Sequence, residues 1–177
     1  ARCSALMINM TTALIFAGGK STRMGEDKSQ MFGGVSRLIN QCKLSSVTRI
    51  ITLCGDKSRM EMFGGEVWPD PEFCNSLVEL VAWSIKQIDD DVMLIPCDAF
   101  NLQSTGIDAL IQQGNCVPVD QQQQRQPLMT RITNRSLINW NGKTINQLFS
   151  GFSNYQNSNL ASQFANFNQN SDLRSRQ

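Results

Sequence analysis

No histidine occurs among the 177 residues. That removes imidazole from every catalytic scheme, so hydrolases that depend on a Ser/His or Cys/His pair are excluded. A zinc site would have to be built from cysteine, alone or with carboxylates. The six cysteines, Cys3, Cys42, Cys54, Cys74, Cys97 and Cys116, are widely separated and contain no C-x-x-C pair. They read as reduced, mostly buried small hydrophobes of a cytoplasmic protein. A net basic excess is missing too, since 16 Lys+Arg against 15 Asp+Glu leave +1. Nucleic acid and membrane surfaces are therefore not expected partners, and the short end Arg174-Ser175-Arg176 is too small to change that. No apolar window approaches a transmembrane span, and the first residues hold one arginine but no apolar core of signal-peptide length. Residues 1–9 read as an unfolded or cloning-derived leader to a single domain spanning 1–177. There is no internal repeat.

What is present is an alternation. Short apolar runs at 12–16, 49–53, 92–95 and 116–119 are spaced to leave room for a helix between them. The clearest helical segment is "SLVELVAWSIKQI", in which Leu77, Leu80, Val81, Ile85 and Ile88 fall on one face. A second, "STGIDALIQQG", has a hydroxyl start, an acidic residue expected in its first turn and a glycine stop. The pattern predicts an α/β domain of three α/β/α layers on a mostly parallel sheet, with binding at the carboxyl ends of the strands. The glutamine tract 121–124 reads as a loop at the sheet rim.

The first run, "TALIF", leads into "AGGKSTRMGEDK" at 17–28. Glycines at a strand end let backbone N–H groups approach a ligand, and Arg23 and Lys28 add positive charge, so the loop is shaped for an anion such as phosphate. It is not a P-loop, because Leu14 stands where that motif needs glycine. Nor is it a dinucleotide fingerprint, because Lys20 and Arg23 occupy glycine positions.

The order Ala-Gly-Gly-x-Ser-x-Arg-Met-Gly-x-Asp-Lys resembles the signature of the nucleotidyltransferases, in particular the MobA-like molybdenum cofactor guanylyltransferases. "LIPCDAF", "RQPLM" and "FANFNQNSDL" match further segments of that family in the same order. The resemblance implies a Rossmann-like nucleotidyltransferase domain that moves GMP from Mg-GTP to the phosphate of the molybdopterin cofactor and releases pyrophosphate. Molybdoenzymes or their chaperones would be further partners. Such transfer is mostly positioning and charge neutralisation. The acceptor phosphate, with a second pKa of about 6, is already ionised at neutral pH, so the lack of histidine is no obstacle.

On this resemblance Phe16, Ala17, Gly18 and Gly19 form the floor under the nucleotide, and Arg23 and Lys28 hold the triphosphate. Asp98, at the end of a buried strand, would carry Mg²⁺. Asp70, in "VWPDP", would contact the guanine nucleotide, with Asn166 and Asn168 as weaker candidates. The match also has departures. Where the family has Gly-Pro-Leu-Ala-Gly this chain has "FCNSLVE" at 73–79, with Ser76 and Glu79 at capping-box spacing. Leu53 stands where an asparagine usually serves the nucleotide, and "GGVSRL" lacks the usual Lys-Pro. These departures leave cytidylyl transfer, transfer to a sugar phosphate, and a diverged nucleotide or cofactor binder without turnover as alternatives.

Overall fold

Each of the four apolar runs is a strand. The computed structural model describes residues 10–19 and 27–165. The run at 12–16 becomes β1, Thr11–Phe16, all six residues of which are buried. Its side chains alternate between two cores: Leu14 and Phe16 on one face, Ala13 and Ile15 on the other. A strand covered on both faces is apolar along most of its length, here from Ala13 to Phe16 after two buried threonines, which is why the run showed no alternation. The others are β2, Arg49–Leu53, β4, Asp91–Pro96, and β5, Cys116–Pro118.

Three short strands complete the sheet: β3, Glu66–Trp68, β6, Arg131–Ile132, and β7, Ser153–Tyr155. The order is β3-β2-β1-β4-β6-β5-β7. β1, β2, β3 and β4 run parallel. β6 is antiparallel to both neighbours, β4 and β5, and β5 pairs parallel with β7. Helices α1 (Gly34–Lys43) and α3 (Ser104–Gln113) pack Val35, Leu38, Ile107 and Leu110 on one face. On the other, α2 (Leu77–Lys86) and the single turn α4 (Ile145–Leu148) bury Leu80, Val81, Ile85 and Leu148. The result is the expected three-layer α/β architecture on a mostly parallel, mixed sheet.

The helix ends differ in detail from expectation. Ser76 caps α2 by accepting from the Glu79 N–H at 3.3 Å, but the Glu79 carboxylate accepts from Asn75 N–H at 2.6 Å, one residue before its capping-box partner. Leu77, in that first turn, is 42% exposed and leaves the buried face formed by Leu80, Val81, Ile85 and Ile88. In α3, Asp108 lies beyond the first turn, which holds no acidic residue, and instead accepts from the Ser46 N–H. Its first N–H groups are held from a distance: Ser104 N–H donates to Gln41 Oε1, and Gln103 and Gly106 N–H donate to Gln163 Oε1. The 121–124 loop is fastened by Asp120, whose carboxylate accepts from the N–H groups of Gln122 and Gln124 and from the Gln126 amide. No described helix is long and apolar enough to cross a membrane.

Candidate active site

The chain reverses its direction of travel across the sheet at β1, which lies between β2 and β4. A cleft at the carboxyl ends of such strands is where open α/β sheets bind ligands, and the sequence-predicted residues that the structure describes gather there. Ala17 continues β1 and donates its N–H to Leu53 O at 2.8 Å. Gly18 then passes so close to the β2 end that a Cβ on it would stand 2.6 Å from both Gly55 Cα and Gly55 N. Gly55 has φ +81°, in the left-handed region glycine accepts without strain. Two glycines are needed because two backbones touch.

Asp70, just past β3, closes this corner. Its N–H donates to Gly55 O at 2.8 Å, and its Oδ1 accepts from Gly55 N–H at 3.1 Å. Burial raises its pKa above the ordinary carboxylate value, against the lowering pull of that hydrogen bond and of Arg59. Between Gly18, Asp70 and the start of α2 lies a cavity of about 230 Å³, lined further by Cys74, Asn75, Ser76, Leu77 and Leu80.

Arg59, on the short helix Lys57–Met62, was not anticipated. Its Nη1 donates to Ala17 O at 2.8 Å and Cys54 O at 3.0 Å, and its Nη2 to Asp27 Oδ2 at 2.6 Å and Ser29 Oγ at 3.1 Å. One guanidinium thereby ties together the ends of β1 and β2 and the segment that carries Lys28. Lys28 Nζ in turn meets Asp98 Oδ2 at 2.9 Å, with both side chains largely buried. Asp98 follows β4 as expected, and the neighbouring Cys97 thiol is pushed up to about 12 by burial, so it is not a nucleophile at neutral pH.

The sequence model of the MobA-like NTP transferase domain matches residues 13–147, which takes in this whole corner. The chain belongs to that family. It is 31% identical over 117 residues to a Synechococcus elongatus protein named a probable molybdenum cofactor guanylyltransferase, a match covering 61% of this chain and 60% of that protein. The chain thus aligns with less than two thirds of the length of that curated relative. Its fold is that of an Aquifex aeolicus protein (TM-score 0.70, 15% identity, 89% of this chain and 93% of that one). It is also that of molybdopterin-guanine dinucleotide biosynthesis protein A from Archaeoglobus fulgidus (TM-score 0.68, 14% identity, 93% and 95%).

Phe16 is buried in the core, and Ala17 has both backbone groups engaged, its N–H by Leu53 and its carbonyl by Arg59. Of the proposed floor, only Gly18 and Gly19 therefore reach the cleft surface. Leu53 is fully buried and turned into the core, so it offers no polar atom where the family has asparagine. Arg125, in the matched "RQPLM", is taken up by Asn154, Asn146 and the carbonyls of Phe149 and Phe152. Arg23, Asn166 and Asn168 lie outside the described residues.

Proposed function

We propose that this protein is a guanylyltransferase that moves GMP from Mg-GTP to the terminal phosphate of the molybdopterin cofactor and releases pyrophosphate. The observation that carries this reading is the Lys28–Asp98 pair, 2.9 Å apart, at the same carboxyl edge of the sheet as the Gly18–Gly55–Asp70 corner. A cation and a carboxylate at that place suit a triphosphate and its metal. The base would enter beside Asp70, whose carboxylate can accept from N–H groups on a guanine edge. Gly19, where a Cβ would meet no described atom within 4 Å, leaves room for the phosphates to come close to backbone.

The donor chemistry fits Mg²⁺. One carboxylate, that of Asp98, stands just past β4 beside Lys28, and Mg²⁺ in nucleotide sites takes one or two carboxylates and leaves the rest to phosphate and water. Asp98 would hold it, and when bound it would neutralise charge on the phosphate oxygens. Lys28 would exchange its contact with Asp98 for phosphate as the nucleotide arrives, keeping both charges compensated. The acceptor phosphate attacks as the dianion, so this chain's residues position and neutralise and need move no proton.

The test is pyrophosphate release with GTP, CTP and ATP in Mg²⁺, in the presence of authentic molybdenum cofactor. Release confined to GTP is the expected result. A preference for CTP would replace the guanylyl reading by a cytidylyl one, and nucleotide affinity without turnover would overturn transfer altogether.

A further inference from the structure

The segment carrying Lys28 and the turn carrying Asp98 are 70 positions apart in the chain, and the side chain of Arg37 ties together the bodies on which they ride. Lys28 is coupled tightly to α1: Val35 N–H donates to Ser29 O at 2.8 Å, and a Cβ at Gly34, which has φ +53°, would fall 2.0 Å from that same carbonyl. Arg37 stands one turn into α1. Its Nη2 donates to Ala99 O at 2.6 Å and its Nη1 to Leu102 O at 2.7 Å. These are two carbonyls of the turn that begins at Asp98. The planar fork of arginine offers each carbonyl its own nitrogen in a fixed geometry, where a lysine would have to serve both from one flexible ammonium. Phe32, between Lys28 and α1, adds an edge-to-face contact with Phe100 of the same turn at 5.1 Å.

The far side of the turn is braced separately. Gln163 Oε1 accepts from the N–H groups of Gln103 and Gly106, each at 3.1 Å, while its Nε2 donates to Thr105 Oγ1 at 3.0 Å. Asn101 Nδ2 donates to Ser162 O. The backbone that presents Asp98 is thus held between α1 and the 161–164 turn.

We infer that Arg37 is a positioning residue, which through Ala99 and Leu102 fixes Asp98 opposite Lys28 and so presets the metal-binding carboxylate; its role in metal use rests on the nucleotidyltransferase reading above. These two hydrogen bonds go to the protein's own backbone, and what they supply to Asp98 is position. Small displacements of an oriented group have large kinetic effects.

The experiment compares wild type, Arg37→Met, Arg37→Lys and Gln163→Ala by amide hydrogen exchange and by the Mg²⁺ dependence of pyrophosphate release from GTP in the presence of molybdenum cofactor as acceptor. In Arg37→Met, exchange at Ala99, Phe100 and Leu102 should accelerate about tenfold or more. The Mg²⁺ concentration for half-maximal rate should rise about tenfold, while GTP affinity measured in EDTA stays unchanged. Arg37→Lys should recover part of both effects. If Arg37→Met does not fold, Gln163→Ala, which loosens the same turn from its other side, carries the same expectations. Unchanged exchange would overturn the clamp, and faster exchange with an unchanged Mg²⁺ requirement would overturn its positioning role. Exchange needs no ligand, so a wild type that releases no pyrophosphate from GTP would sink the nucleotide reading while the clamp is still decided.

Discussion

Adding one methyl group at Gly18 is the sharpest perturbation of the cleft. The Cβ would stand 2.6 Å from Gly55 Cα and from Gly55 N, and 3.1 Å from Asp70 Oδ2. Ordinary carbon contacts lie near 3.5–4 Å, so about 1 Å of displacement is required. Gly55 cannot give way freely, because it exchanges two hydrogen bonds with Asp70, at 2.8 and 3.1 Å. Overpacking of this kind costs about 1–3 kcal/mol, and one weakened hydrogen bond adds about 1 kcal/mol. The sum, about 2–4 kcal/mol, lowers Tm by about 5–15 °C for a chain of this size. Gly19→Ala is the control, since its Cβ meets no described atom within 4 Å; it should leave stability within about 0.5 kcal/mol and weaken only the nucleotide. Thermal unfolding and GTP titration of the two variants separate the effects. A Gly18→Ala protein as stable as wild type would refute the close approach of the β1 and β2 ends.

Arg59→Met should destabilise by about 2–4 kcal/mol, as the carbonyls of Ala17 and Cys54 each lose a charged donor; denaturant unfolding measures this. Asp98→Asn should keep the fold, since Lys28 can still donate to the amide oxygen, and should lower Mg²⁺-dependent pyrophosphate release about a hundredfold or more. Retained activity would remove Asp98 from the metal role. The folded pKa of Asp70 is raised by burial, so between its ordinary and raised values the folded state binds more protons than the unfolded one. Wild-type stability therefore falls as pH rises through that window. Asp70→Asn, which has no charge to bury, should melt above wild type at neutral pH, with the gap closing as pH drops below the carboxylate range; an Asn variant that melts lower at pH 7 would contradict the assignment.

The long strands were legible in the sequence because burial on both faces favours long apolar runs, as in β1 and β4. The same rule hid the others. β3 has three residues, none fully buried, and β7 is Ser-Asn-Tyr. β6 is two residues, one of them Arg131, whose charge is buried against Asp91 at 2.9 Å. A pattern that short carries no period. The capping of α3 was illegible for a different reason: its acceptors, Gln41 and Gln163, come from elsewhere in the chain, whereas cap signals are read within one turn. In the site, the glycines, Lys28, Asp70 and Asp98 stood in a recognisable motif order. Neither Arg59 nor Arg37 is marked out by a motif, and only the folded chain shows which distant segments they hold, Arg59 those of Ala17 and Asp27 and Arg37 that of Ala99 and Leu102.

Those distant partners bear on how the protein folds. The contacts that build the cleft join positions 70 apart at Lys28 and Asp98, 62 apart at Arg37 and Ala99, and 42 apart at Arg59 and Ala17. Loop closures of that span follow local structure in time and are slow to form. The cleft cannot assemble before β4 has inserted beside β1, so affinity for nucleotide should emerge after most helical signal during refolding. Ligand capture then serves as a clock for the last stage of folding.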